Sequence, residues 1–182
     1  MIKQNKTFFI CIITLLTAFS NNSISWAESP TSSPNKKPNI VLIVGDDMGL
    51  GDIGPYGSEI HTPSLNVMAK NGIRFSNFHA SPVCSITRSQ LLTGNNNIEI
   101  GLASFDYAVY PEAKGMPGYE GYLTERAVTI QELLKDSGYD TYQTGKWHLG
   151  GQHGGRGPHE MGFSHSYGIL AGGSNHWNSG DM

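Results

Sequence analysis

Asn39–Gly45 reads NIVLIVG, and Asp46 and Asp47 follow it directly. An unbroken apolar run rich in β-branched residues and closed by glycine fits a strand buried on both faces. That is the pattern of a parallel sheet inside an α/β fold. The rest of the chain alternates in the matching way. Thr62 as N-cap, Pro63 at the first helical position and Gly72 as stop signal predict a helix. Ile73–Ala80 (IRFSNFHA) reads as a second strand. SITRSQLLTG, ending at Gly94, reads as a short helix. Thr129 and Glu132 form a capping box for a helix that stops at Gly138, and Tyr139–Lys146 reads as another strand. Between them, Asn95–Tyr122 has no clean period and is rich in Gly, Pro and Tyr, as expected of a long structured loop on the functional face. The tail after Leu149 is rich in Gly and His and has little periodicity. There is no internal repeat. Strand and helix in alternation predict an α/β layer.

The amino terminus is a separate matter. Lys3 and Lys6 precede an apolar run, Thr7–Phe19, that is short for a bilayer span, and Ser25–Ala27 (SWA) matches a small-x-small cleavage pattern. Residues 1–27 are therefore expected to be a signal peptide, with export to the periplasm or beyond the cell and no membrane association after cleavage. Residues 28–38, rich in Pro, Ser and Lys, are expected to be a flexible linker. Cleavage removes Cys11 and leaves Cys84 as the only thiol, so no intramolecular disulfide is available. It also moves the formal net charge from −3 to −5. No basic block suggests nucleic acid or an acidic membrane surface as a partner.

Three clusters carry chemistry. Asp46 and Asp47 stand at the carboxyl end of the first expected strand, where ligands gather in open α/β sheets. Two adjacent carboxylates repel, and a hard divalent cation, calcium or magnesium, offsets that cost; a solvated turn before glycine is the plainer alternative. Cys84 sits at or just before a helix N-terminus, where unpaired N–H groups favour an anion and a thiolate, and Arg88 lies one turn on along the same face. Together they point to a tetrahedral oxyanion such as sulfate or phosphate; the alternative is a buried, inert cysteine beside a surface arginine. In TGKWHLG, Thr144–Gly150, Lys146 and His148 project to one side of an extended segment, with Trp147 as an anchor on the other. This pair supplies a charge and a titratable proton carrier. His153, His159, His165 and His176 are irregularly spaced without a companion cysteine, which argues against zinc.

In order along the chain, PNIVLIVGDDMGLGDIGPYG, FHASPVCSITRSQLLTG and TGKWHLG resemble the three amino-terminal signatures of the type I sulfatases, in the alkaline-phosphatase-like superfamily. Met116–Thr141 and Gly157–Trp177 resemble the bacterial arylsulfatases in particular. The resemblance implies an α/β fold with a central, mostly parallel sheet flanked by helices, of which residues 39–182 are the amino-terminal, incomplete part. It implies a sulfuric ester hydrolase acting on a small sulfate ester or a sulfated glycan. It also implies that a dedicated maturation enzyme oxidises Cys84 to formylglycine, whose hydrate attacks sulfur and later eliminates sulfate to restore the aldehyde. By the same match Asp46, Asp47 and the residue derived from Cys84 are metal ligands for one Ca2+. Arg88 steadies the hydrate and the metal site, Lys146 binds sulfate, and His148 is the base of the second step.

Two departures qualify the match. The family's Cys-x-Pro-x-Arg core, or its Ala variant, reads CSITR here, with Ile86 at the third position, so less efficient conversion of Cys84 is expected. The family's further Asp/Asn pair, His and Lys do not occur before Met182. The chain is therefore expected to be the amino-terminal portion of a longer protein. Residues 28–182 alone are expected to show no sulfatase turnover, a truncated non-catalytic product being one reading. The other enzymatic reading is a phosphodiesterase or phosphonate monoester hydrolase of the same superfamily.

Overall fold

Parallel strands cannot be joined by a tight turn; they need a crossover of a dozen residues or more. A computed structural model describes residues 37–105, 108–152, 154–175 and 177. It contains one such pair: β1, Tyr142–Lys146, beside β2, His165–Ile169. The register runs Tyr142 to His165, Thr144 to Tyr167 and Lys146 to Ile169. Gly145 faces Gly168 so closely that a Cβ on Gly168 would overlap the Gly145 carbonyl oxygen. The expected signal peptide and all but the last two residues of the expected linker lie outside the described residues.

The described residues of the crossover, 147–152 and 154–164, form no regular helix, and Trp147, Leu149 and Met161 turn inward. Trp147, Leu149 and Met161 are buried with Ile100, Leu102, Leu123 and Ala127, and Leu92 and Phe163 pack against that cluster. The Phe163 ring meets Trp147 edge to face at a centroid distance of 6.1 Å. Backbone hydrogen bonds stitch the loop of residues 98–124 to the same core. Ala103 N–H donates to Gly118 O, Gly121 N–H to Gly101 O, Thr124 N–H to Ile100 O and Leu123 N–H to Leu149 O, all within 2.8–3.0 Å. The long loop is therefore ordered by its own ladder, as its apolar residues at 100, 102 and 123 require.

The described residues form three α-helices. α1, Pro63–Asn71, starts on proline as expected, but the Thr62 hydroxyl serves a different end: it accepts from Gly54 N–H at 2.8 Å and caps no helical amide. α2, Cys84–Thr93, ends on Gly94 in the left-handed region, whose N–H donates to Gln90 O. α3, Ile130–Asp136, is opened by the capping box read from sequence: Thr129 N–H donates to Glu132 Oε2 at 2.7 Å, and Glu132 N–H donates to Thr129 Oγ1. The Thr129 hydroxyl also lies 3.0 Å from Met161 O in full burial, tying this helix to the crossover. No described helix is long and apolar enough to cross a membrane.

Two expected strands differ. The described residues divide into two compact units, the first ending at Ile43 and the second starting at Val44. Within each, the portion of Asn39–Gly45 it contains forms neither helix nor ladder. Ile73–Ala80 forms bends with Ile73, Phe75 and Phe78 exposed. A strand exists only through hydrogen bonds to a neighbour, and β2 pairs only with β1 among the described residues. Residues 73–75 are instead tethered to the 3-10 turn Gly54–Tyr56: Tyr56 OH donates to Phe75 O at 2.8 Å and Arg74 donates to Pro55 O. Conversely β2 lies in the tail that showed no period, because its residues HSYGI mix glycine and polar groups.

Replacing Thr129 with Ala removes a helix cap and a buried hydrogen bond at once, and is expected to cost about 1–3 kcal/mol. Equilibrium urea unfolding measures it, and an unchanged midpoint would refute the role of this hydroxyl as an anchor.

Candidate active site

Cys84 is the first residue of α2, and Val83 before it is extended at φ −102° and ψ 120°. The entry is pinned from both sides: Val83 N–H donates to Ser81 Oγ, and the Thr87 hydroxyl donates to Ser81 O at 2.8 Å. Ser85 and Ser89, fully buried, face the interior on small side chains. Cys84 and Arg88, four residues apart, are thereby left on a neighbouring face of the helix. The amides of the first turn have no partner within the helix and direct their positive ends toward the space around residue 84.

β1 delivers the partners. Lys146 is its last residue, and its Nζ lies 3.1 Å from Cys84 Sγ. The parallel ladder continues beyond the strands, since Trp147 N–H donates to Ile169 O at 2.8 Å and His148 N–H to Leu170 O at 3.0 Å. Trp147 goes into the core, while His148 Nδ1 comes to 3.3 Å from the same Sγ. Which of the two atoms carries the proton depends on the imidazole tautomer. His148 holds a left-handed backbone, φ 57°, and so does Asp47, φ 58°. They are the non-glycine residues with positive φ among the described residues, and both stand in this cluster of segments. The Phe105 ring rests against the imidazole at a centroid distance of 5.8 Å.

Charge closes the constellation. Asp46 Oδ2 receives Lys146 Nζ at 3.0 Å and an Arg88 guanidinium nitrogen at 3.2 Å. The other terminal nitrogen of Arg88 donates to Lys146 O at 2.6 Å, so one side chain ties the helix, the β1 terminus and the acid together. The Lys146 hydrogen bond is the main reason the Asp46 carboxyl is held below its ordinary value; partial burial opposes the shift. For Lys146, burial disfavours the ammonium, but hydrogen bonds to Cys84 and Asp46 outweigh it and its pKa is raised. Lys146 and Arg88 thus set two cations beside Cys84, where an anion can be held.

The structure thus brings together Cys84, Arg88, Lys146, His148 and Asp46. Asp47 is adjacent in sequence but turned by its left-handed backbone. Asp46 lies between the two side-chain cations, Lys146 and Arg88. Phe105 against His148 was not foreseen, since an aromatic in an aperiodic loop gives no signal. Among the described residues no group of three or more His, Cys, Asp or Glu stands together to hold a metal ion. Asp46 and Asp47 are oxygen donors of the kind calcium takes, yet they supply only part of a shell of roughly six to eight oxygens. Among the four tail histidines, His159 Nδ1 contacts Phe163 O and His165 stacks on Tyr142. His153 and His176 lie outside the described residues.

Comparison with known proteins defines the class. The Sulfatase family model matches residues 38–181, and the chain belongs to the sulfatase family. It is 47% identical over 146 residues to an uncharacterized sulfatase of Schizosaccharomyces pombe, covering 79% of this chain and 26% of that protein. It is 42% identical over 147 residues to an arylsulfatase of Klebsiella aerogenes, covering 81% and 31%. The crystal structure of Ps i-CgsB superposes with a TM-score of 0.63 at 39% identity, covering 77% of this chain and 30% of that one. The chain spans about a quarter to a third of the length of these relatives.

The shifted groups set a pH dependence. A carboxyl held low in the fold contributes stability that is complete above its unfolded pKa of about 3.9 and is lost as pH falls through the folded value. Lysine held high contributes below about 10.4 and loses its contribution as pH rises through the folded value. Thermal melts between roughly pH 2 and 5 are expected to fall less steeply in Asp46→Asn than in the wild type. Parallel curves would show that this carboxylate does not couple to folding.

Proposed function

We propose that the protein hydrolyses sulfate monoesters of the arylsulfatase kind, with Cys84 matured to formylglycine by a formylglycine-generating enzyme. One observation carries the reading: Lys146 Nζ and His148 Nδ1 converge within 3.3 Å on a single atom at the head of α2. Formylglycine supplies there an oxygen nucleophile that a thiol lacks. Lys146 and Arg88, both only 14% exposed in their side chains, bind and orient the sulfuryl oxygens. Preorganised charge of this kind favours a transition state in which charge moves onto oxygen. Asp46 keeps both cations in place. His148 holds or removes a proton at the side chain of residue 84, at hydrogen-bond reach and in a site 7% exposed, where bulk water competes poorly.

Asp46 and Asp47 are this chain's contribution to a divalent cation, calcium by the preference of carboxylate oxygens for hard ions. The two cations beside residue 84 and the relatives support a sulfate ester as the substrate class; one neighbouring structure is of Ps i-CgsB in complex with k-i-k-neocarrahexaose. Residues 1–27, read as an export signal, support an activity in the periplasm or outside the cell.

The test is turnover of an aryl sulfate by the full protein carrying this sequence, coexpressed with a formylglycine-generating enzyme. Mass spectrometry of the peptide spanning Cys84 is expected to find an aldehyde, despite Ile86. His148→Ala is expected to lower kcat by about 100-fold or more, and Cys84→Ala to abolish turnover. Faster cleavage of an aryl phosphate diester than of the sulfate would instead select the phosphodiesterase reading, and full activity with Ala at position 84 would sink both.

A further inference from the structure

We infer that Gly172 is a positioning residue for the His148 imidazole, and that the bare Cα at this position is what lets Nδ1 reach residue 84. The inference rests on the reading of His148 as proton carrier and adds to it the element that aims the ring. A Cβ built on Gly172 would lie 2.7 Å from both Cε1 and Nε2 of His148 and 3.2 Å from Cδ2. These distances put the Cβ over the face of the ring, above its Cε1–Nε2 bond, while Nδ1 is the ring atom that meets Cys84 Sγ. Gly172 therefore packs against the imidazole face while residue 84 meets its Nδ1.

The imidazole has little room to give way. His148 is hydrogen-bonded through its backbone to Leu170, two residues before Gly172, so ring and glycine are carried by the same extension of the β1–β2 ladder. The Phe105 ring occupies another side of the imidazole. His148 is 7% exposed and has no open solvent into which to swing. A methyl group at 172 must then rotate or displace the ring, and the displacement falls on the contact between Nδ1 and residue 84. Gly172 has no left-handed φ. Alanine is thus tolerated by the backbone, and the effect of substitution is steric. Lys146 and Arg88 are held by Asp46, Cys84 and the Lys146 carbonyl, so substrate binding is expected to survive.

The experiment compares Gly172→Ala with Gly157→Ala in the full matured protein. At Gly157 a Cβ meets only Glu160 Oε2 at 3.7 Å, an ordinary contact. Gly172→Ala is expected to lower kcat for an aryl sulfate roughly 10- to 100-fold, as misplacement of a catalytic group by about 1 Å does. KM should stay within about twofold, the pattern of a group acting after binding. The His148 imidazole resonances in a histidine-labelled sample should move in Gly172→Ala and stay in place in Gly157→Ala. In a His148→Ala background the same methyl group has no ring to meet, so Gly172→Ala should cost neither kcat nor melting temperature there. This double variant keeps the test decisive even if Gly172→Ala alone is poorly folded. Wild-type kcat with unmoved imidazole resonances in Gly172→Ala overturns the inference, as does an equal loss in the His148→Ala background. If the wild type shows no sulfate ester turnover, the functional reading fails separately, while the imidazole resonances still report whether Gly172 seats the ring.

Discussion

The parallel register of β1 and β2 is the constraint on which the site depends. It fixes Lys146 at the end of one strand and, through the Trp147–Ile169 and His148–Leu170 hydrogen bonds, carries the chain one step further before His148 turns left-handed. A slip of one residue would exchange Trp147 with its neighbours, placing charge in the core and indole in the pocket. The tight Gly145–Gly168 pairing resists such a slip, because any side chain at Gly168 would strike the backbone of Gly145. The crossover that parallel pairing demands does not lie idle: it supplies Trp147, Leu149 and Met161 to the core.

Electrostatics then decides what the pocket is for. Lys146 is desolvated, which alone would favour the neutral amine, but Asp46 and Cys84 hold its proton. Arg88 shares Asp46 with Lys146 and grips the Lys146 carbonyl. The helix terminus, two cations and one acid thus form a single hydrogen-bonded unit around residue 84. Such a unit orients its members before any substrate arrives, which is how fixed charges lower a barrier most effectively.

Where local chemistry settles a conformation, it was legible in the sequence. The Thr129–Glu132 capping box, the glycine stop after Thr93 and the proline start at Pro63 are contacts between residues at most four apart. Where pairing with a distant neighbour is needed, reading failed in both directions. Ile73–Ala80 looked like a strand and bends instead, held by Tyr56 and Arg74. His165–Ile169 looked aperiodic and is half of the sheet.

For the site the division is similar. Sequence alone supplied the candidate groups, Cys84, Arg88, Lys146, His148 and the Asp46–Asp47 pair. It also set two relations between them, because one helical turn and one strand alternation are fixed by backbone geometry. Tertiary structure alone decided that the cysteine segment and the lysine–histidine segment, some sixty residues apart, meet at a single sulfur atom. It alone decided that Asp46 answers to Lys146 and Arg88, and that Phe105 and Gly172 enclose the imidazole. Those contacts span long loops, and no local preference encodes which distant side chain, or which missing one, will stand opposite.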